Sequence, residues 1–145
     1  MNKKYNLAEM IKRRLIVSFS DGPKLVKKEV KAAEDDLSDA EQSYSQGGYK
    51  WATVQGYYSI FHIFRALLYN RKYREKSHIQ LGRAIKALYI DKAELPEEFY
   101  EIFTNALTLR ELADYKSKFS KNGAQNVIGK AKIVLKTAKK MLNNK

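Results

Sequence analysis

Arg110, Asp114 and Tyr115 lie close together in the stretch Arg-Glu-Leu-Ala-Asp-Tyr. Arg110 and Asp114 are four residues apart, so on a helix they share a face and come within ion-pair reach. As architecture, the pair is a salt bridge. As chemistry, a guanidinium stabilises phosphoryl charge, a carboxylate accepts a proton, and a phenol beside them can orient a ribose hydroxyl. Lys116, Lys118 and Lys121 follow directly and put mobile cations next to that set. His78 comes after Ser77, a residue type that caps helices, and in a first helical turn the macrodipole disfavours the imidazolium. A neutral imidazole there can donate or accept in catalysis, or simply help to cap the helix. Lys76 precedes it. The other histidine, His62, belongs to the stripe Tyr58, His62, Arg65 and Tyr69, spaced 4, 3 and 4 apart. His62 reads as a satisfied core histidine. Arg65 is either paired internally or faces a groove, because an unpaired interior guanidinium costs several kcal/mol.

The candidates are therefore Arg110, Asp114, Tyr115 and His78 for catalysis, and Arg65, Lys76, Lys116, Lys118 and Lys121 for contact with RNA or a nucleotide. No metal site and no cofactor is nominated: the two histidines fall on different helices, and there is no cysteine. Phosphate-binding glycine loops, serine nucleophile elbows and paired His-Glu zinc motifs do not occur either.

Helical periodicity must position these residues. Val26, Val30, Ala33, Leu37, Ala40 and Tyr44 recur at spacings of 4 and 3 and predict a bundle helix over Lys24 to Gln46, stopped by Gly47 and Gly48. Tyr49 to Asn70 is apolar on nearly every side and reads as the central helix. A basic link, Arg71 to Lys76, leads to a capping box of Ser77 with Gln80 and a helix to about Ile90. Pro96, Glu97 and Glu98 suit a first turn, and that helix runs to about Tyr115 with Phe99, Ile102, Phe103, Ala106 and Leu107 on its core face. After a turn at Ser120 to Gly123, Val127, Ile128, Ala131, Val134, Leu135, Ala138 and Met141 define the last helix. Leu7, Met10, Ile11 and Leu15 predict an N-terminal helix ended by Asp21, Gly22 and Pro23, so residues 1–22 form an appended element. The expected fold is an all-α, up-and-down helical bundle of five to six helices, one domain over 1–145 with almost no strand.

Composition bounds the function. A chain of 145 residues with 44% hydrophobic side chains can bury a core without disulfides or metal. No apolar run approaches a membrane span or a secretory signal, which predicts a cytoplasmic protein with no membrane partner. The net charge of +12 is uneven: from Lys116 to Lys145 there are nine lysines and no acid, leaving +3 for all the rest. A basic C-terminal element is the footprint of a polyanion partner, and its position after Tyr115 places that meeting at the Arg110 end. A solvated lysine face would look the same.

Four motifs together, Tyr57-Tyr58-Ser59-Ile60-Phe61-His62, Arg65-Ala66-Leu67-Leu68, Lys76-Ser77-His78 and Arg110 through Tyr115, resemble the HEPN domain superfamily, closest to its small stand-alone prokaryotic branch, over about Lys24 to Leu142. The resemblance implies a helical bundle, often a homodimer, frequently encoded beside a minimal nucleotidyltransferase in toxin–antitoxin modules, with many members acting as metal-independent ribonucleases. The family's catalytic pattern is an Arg and a His with four to six residues between them, often with a Tyr just beyond. Here no His lies in or after the helix end, and Asp114 stands roughly where that His would be. Arg71 and His78 meet the spacing formally, but in the link after the central helix, not at the catalytic helix end. The expectation is an RNA- or nucleotide-associated component of such a module with a degenerate catalytic motif. The alternatives are a metal-independent endoribonuclease toxin and a structural module that docks an acidic partner through its basic last helix.

Overall fold

The computed structural model describes residues 5–143, so Lys145 and the first four residues of the expected N-terminal element lie outside the described residues. Helix α1 (Leu7–Lys12) leads into strand β1 (Ile16–Ser18), followed by α2 (Gly22–Ser45), α3 (Tyr49–Asn70), strand β2 (Tyr73–Glu75), α4 (His78–Ile85), α5 (Glu98–Lys116) and α6 (Lys121–Asn143). The fold is all-α, with α2, α3, α5 and α6 as an up-and-down bundle and α4 laid against its side.

Helix α3 is the axis. Thirteen of its residues are buried, and Tyr57, Ile60, Ile63, Phe64 and Leu67 are wholly inaccessible. Helix α2 runs antiparallel to it: Ser59 Oγ donates to the Ala33 carbonyl at 2.8 Å, and Ser43 Oγ lies 2.7 Å from the Gln55 side-chain amide. Across α3, Phe64 stacks on Phe103 of α5 with ring centroids 4.6 Å apart. Two glycines set the closeness of the packing. A Cβ on Gly56 would lie 2.8 Å from Val127 of α6, and one on Gly82 would lie 2.7 Å from the Phe103 ring. A side chain at Gly82 would therefore push α4, and the histidine at its start, away from α5. The expected core face of α5, Phe99, Ile102, Phe103, Ala106 and Leu107, is buried throughout.

The N-terminal expectation is corrected. The helix stops at Lys12, Arg14 takes a left-handed φ of 57°, and Ile16 to Ser18 pair antiparallel with Tyr73 to Glu75. Ile16 and Val17 are β-branched and fit an extended pairing better than a helix interior. Met10 and Ile16 are buried in the main core, so the segment is packed on the bundle. Gly22 and Pro23 open α2 instead of closing the preceding element, as Pro in a first turn should. The link Arg71 to Lys76 contains β2, a strand too short to show alternation. Helix α4 does continue to Ile90, but as a π-helical turn over Lys86–Ile90, in which Asp91 N–H reaches the Lys86 carbonyl at 2.8 Å and the buried Lys86 ammonium meets the Asp91 carboxylate at 2.6 Å. The turn before α6 is shorter than expected: Ser120 caps the helix directly, accepting from Gly123 N–H at 2.9 Å. No helix is long and apolar enough to cross a membrane among the described residues.

Candidate functional site

His78 opens α4. Ser77 Oγ accepts from Gln80 N–H at 3.2 Å, so the first half of the capping box forms, while Gln80 Oε1 is buried without a partner. The cap fixes the start of α4 over α3, and the imidazole lands on the tyrosine pair there. It stacks on Phe61 at 4.4 Å, meets Tyr58 edge-on at 6.2 Å, and its Nδ1 lies 2.5 Å from the Tyr57 hydroxyl. Burial pushes its pKa below the ordinary imidazole value; Arg110 adds to the shift and Glu75 opposes it.

Arg110 reaches the same tyrosines from α5. Its Nη2 donates to Tyr58 Oη at 3.0 Å and lies 3.4 Å from Asp114, and the guanidinium sits 5.3 Å from the Tyr58 ring and 5.1 Å from the Tyr115 ring. Its Nε is buried without a partner. The ion pair expected from the four-residue spacing therefore forms, and it is one part of a larger aromatic cluster. Tyr115 itself is 68% exposed and covers the guanidinium from outside. Arg110, Asp114, Tyr115 and His78 are thus gathered around Tyr57 and Tyr58, although His78 and Arg110 lie on separate helices.

Arg65 resolves to internal pairing. Its Nε and Nη2 both donate to Glu75 Oε2 of β2, at 3.0 and 2.6 Å, and the guanidinium lies over the Phe61 ring at 4.6 Å. Burial acts against its charge and Glu75 more than offsets that, so its pKa is raised. The second Glu75 oxygen is buried without a partner. His62 is held on the α2 side: Nδ1 lies 2.8 Å from Glu29 and Nε2 3.5 Å from Asp36. Burial raises the Asp36 pKa and His62 opposes the shift.

Lys76, Lys116, Lys118 and Lys121 are exposed. Ser117 turns the chain with a left-handed φ of 51°, and Lys118 N–H donates back to the Leu112 carbonyl, so Lys116, Lys118 and Lys121 stand around the end of α5 beside Tyr115. The other lysines do not gather there. They extend along α6, where Lys132 pairs with Glu41 at 3.3 Å and Lys139 with Glu34 at 2.8 Å, both on α2. The expectation that the C-terminal charge concentrates at the Arg110 end is corrected accordingly, because α6 runs the length of the bundle. Among the described residues no group of three or more His, Cys, Asp or Glu is placed to hold a metal ion.

Four contributors escaped the candidate set: Tyr57, Tyr58, Phe61 and Glu75. Tyr57 and Phe61 sit on the apolar stripe of α3, where they read as core. The available signal was the hydroxyl, since a buried tyrosine must find a polar partner.

The HEPN domain family model matches residues 26–142. Two proteins of Methanocaldococcus jannaschii are similar to the chain: "Putative toxin MJ0142", 30% identical over 122 residues covering 83% of each chain, and "Putative toxin MJ0605", 28% identical over 114 residues covering 78% of this chain and 85% of the other. With the helical bundle in place and most of the chain matched, this protein belongs to the HEPN domain family.

Proposed function

We propose that this chain is the toxin-like component of a two-protein module, acting in the cytoplasm as a homodimer that associates with RNA or a nucleotide and is partnered by a nucleotidyltransferase-like protein. The observation that carries the reading is the meeting of Arg110 and His78 on one tyrosine pair, beside the exposed lysines at the end of α5. A guanidinium, an imidazole and a phenol at one place suit phosphate and ribose groups. The names of the two archaeal relatives support the toxin part. With no histidine after Arg110 at the family's spacing and Asp114 roughly in its place, catalysis is degenerate. The test is binding of a short RNA and of a mononucleotide by the purified chain. Arg110→Ala and Lys116→Ala should each weaken it, the first about tenfold or more, as expected when a charged hydrogen-bond donor worth roughly 1.5–3 kcal/mol is removed. Unchanged binding in both variants overturns the site.

A metal-independent endoribonuclease is the second reading, favoured by the imidazole that α4 brings to Arg110 from outside the family's motif. It requires RNA cleavage that survives EDTA and disappears in Arg110→Ala. No cleavage by the pure protein rejects it.

A further inference from the structure

Of all the polar contacts in the cluster, the one between Tyr57 and His78 most narrowly restricts what the site can do. Tyr57 is wholly buried on α3, its hydroxyl is 2.5 Å from His78 Nδ1, and no second partner for that hydroxyl exists among the described residues. A proton on Nδ1 would have to be donated to the phenol oxygen and would leave the phenol's own proton with no acceptor. The reverse arrangement, with the phenol donating to a bare Nδ1, satisfies both groups. Burial pushes the Tyr57 phenol well above its ordinary range, with Tyr58 adding to the shift and Arg110 opposing it, so the phenol keeps its proton.

We infer that Tyr57 is a positioning residue that locks His78 in the neutral tautomer carrying its proton on Nε2, so that His78 meets an incoming phosphate oxygen as a fixed hydrogen-bond donor and does not take up a proton. On balance the surroundings favour the neutral ring. From α3, Tyr57, Tyr58, Phe61 and Arg65 pack on or near the ring; from α5, Arg110 and Glu111 act on it; from β2, Glu75 does. The two arginines disfavour an imidazolium, the two glutamates favour it, and Arg65 is already neutralised by Glu75. The helix N-terminus under His78 adds to the arginine side. Phe61 holds the ring plane by stacking, and Nε2 has no protein partner among the described residues. The donor role rests on the RNA or nucleotide reading above; the tautomer does not.

Nitrogen-15 NMR of the histidine-labelled full chain reads the tautomer directly, with His78→Gln assigning the signal against His62. The expected result at pH 7 is a protonated Nε2 and an unprotonated Nδ1, and in Tyr57→Phe a mixture of tautomers with an imidazole that titrates closer to 6.5, the ordinary value. A proton on Nδ1, or an imidazolium at pH 7, overturns the inference. A second measurement uses a short RNA as the probe. His78→Ala should weaken binding about tenfold, and His78→Gln, whose amide nitrogen falls near the place of Nε2, should restore most of it. If glutamine fails as badly as alanine while the NMR result holds, the donor role is rejected and the tautomer stands. If Arg110→Ala also binds RNA normally, the functional reading fails and the tautomer again stands.

Discussion

The face built by α3, α4 and α5 and the seam between α2 and α6 both carry ion pairs, but they hold their cations differently. On the first, Arg65 and Arg110 are largely covered, with side chains 30% and 13% exposed, and each is fixed by hydrogen bonds and aromatic faces. On the second, Lys132 and Lys139 reach across to Glu41 and Glu34 with every partner between 39% and 55% exposed. Guanidinium is a rigid fork and ammonium a mobile point charge, so the same formal pairing positions a group in one region and only supplies a field in the other. Along the seam a groove of about 390 Å³, lined by Val26, Val30 and Leu142 with Lys27 and Lys139, is where the reading of a docked acidic partner would apply. The covered face is where chemistry can be held in register.

The sharpest way to break that comparison is to remove one carboxylate from each region. Glu75→Ala strips both Glu75 hydrogen bonds from Arg65 and leaves a partly buried guanidinium unpaired, so it should cost about 2–3 kcal/mol in urea unfolding, somewhat below the ~3–5 kcal/mol of a fully buried pair. Glu34→Ala should cost about 0–1 kcal/mol, as exposed pairs do. Equal losses would mean that burial does not distinguish the two regions.

Legibility in the sequence followed the same division. The bundle was readable because a helix must bury a stripe, and Val26 to Tyr44, Phe99 to Leu107 and Val127 to Met141 declare theirs by spacing. Arg110 with Asp114 was readable because a four-residue interval guarantees proximity on a helix. The contact of His78 with Tyr57 was not, because it depends on how α4 lies over α3, which Gly82 and Phe103 set through packing and no interval encodes. The strands β1 and β2 were hidden for a related reason: three residues give no period, and their pairing joins Ile16 to Glu75 across the whole of α2 and α3. Charge counting failed in its own way, since a sum over Lys116 to Lys145 ignores that the helix carrying most of those lysines leads away from Arg110.

A smaller effect separates the regions by pH. His78 has a folded pKa below the unfolded 6.5, so between those values the unfolded chain binds more protons than the folded one, and stability rises with pH. The contribution is fully present above 6.5 and is lost as the pH falls below it. His78→Gln should flatten the stability profile between pH 7 and pH 5, read by unfolding at fixed urea, whereas Lys139→Gln should leave its slope as it was. An unchanged profile in His78→Gln would mean that His78 is as easily protonated in the fold as outside it.

A small effect on stability, and a test of the lysine seam itself, comes from Glu34→Gln combined with Glu41→Gln. Each glutamate engages one lysine of α6 in an exposed pair, so losing both should change unfolding by only about 0–2 kcal/mol. A phosphate backbone that meets this seam must displace those carboxylates before it can use Lys132 and Lys139. Freeing the two lysines should then strengthen RNA binding and steepen its dependence on salt, by up to about 1.4 in the logarithmic slope for a single strand at ~0.7 per added phosphate contact. If affinity and slope stay fixed, the seam does not touch RNA, and the polyanion contacts contract to Lys116, Lys118 and Lys121 beside Tyr115, where a ligand would have its phosphates within reach of Arg110 and His78 rather than spread along the bundle.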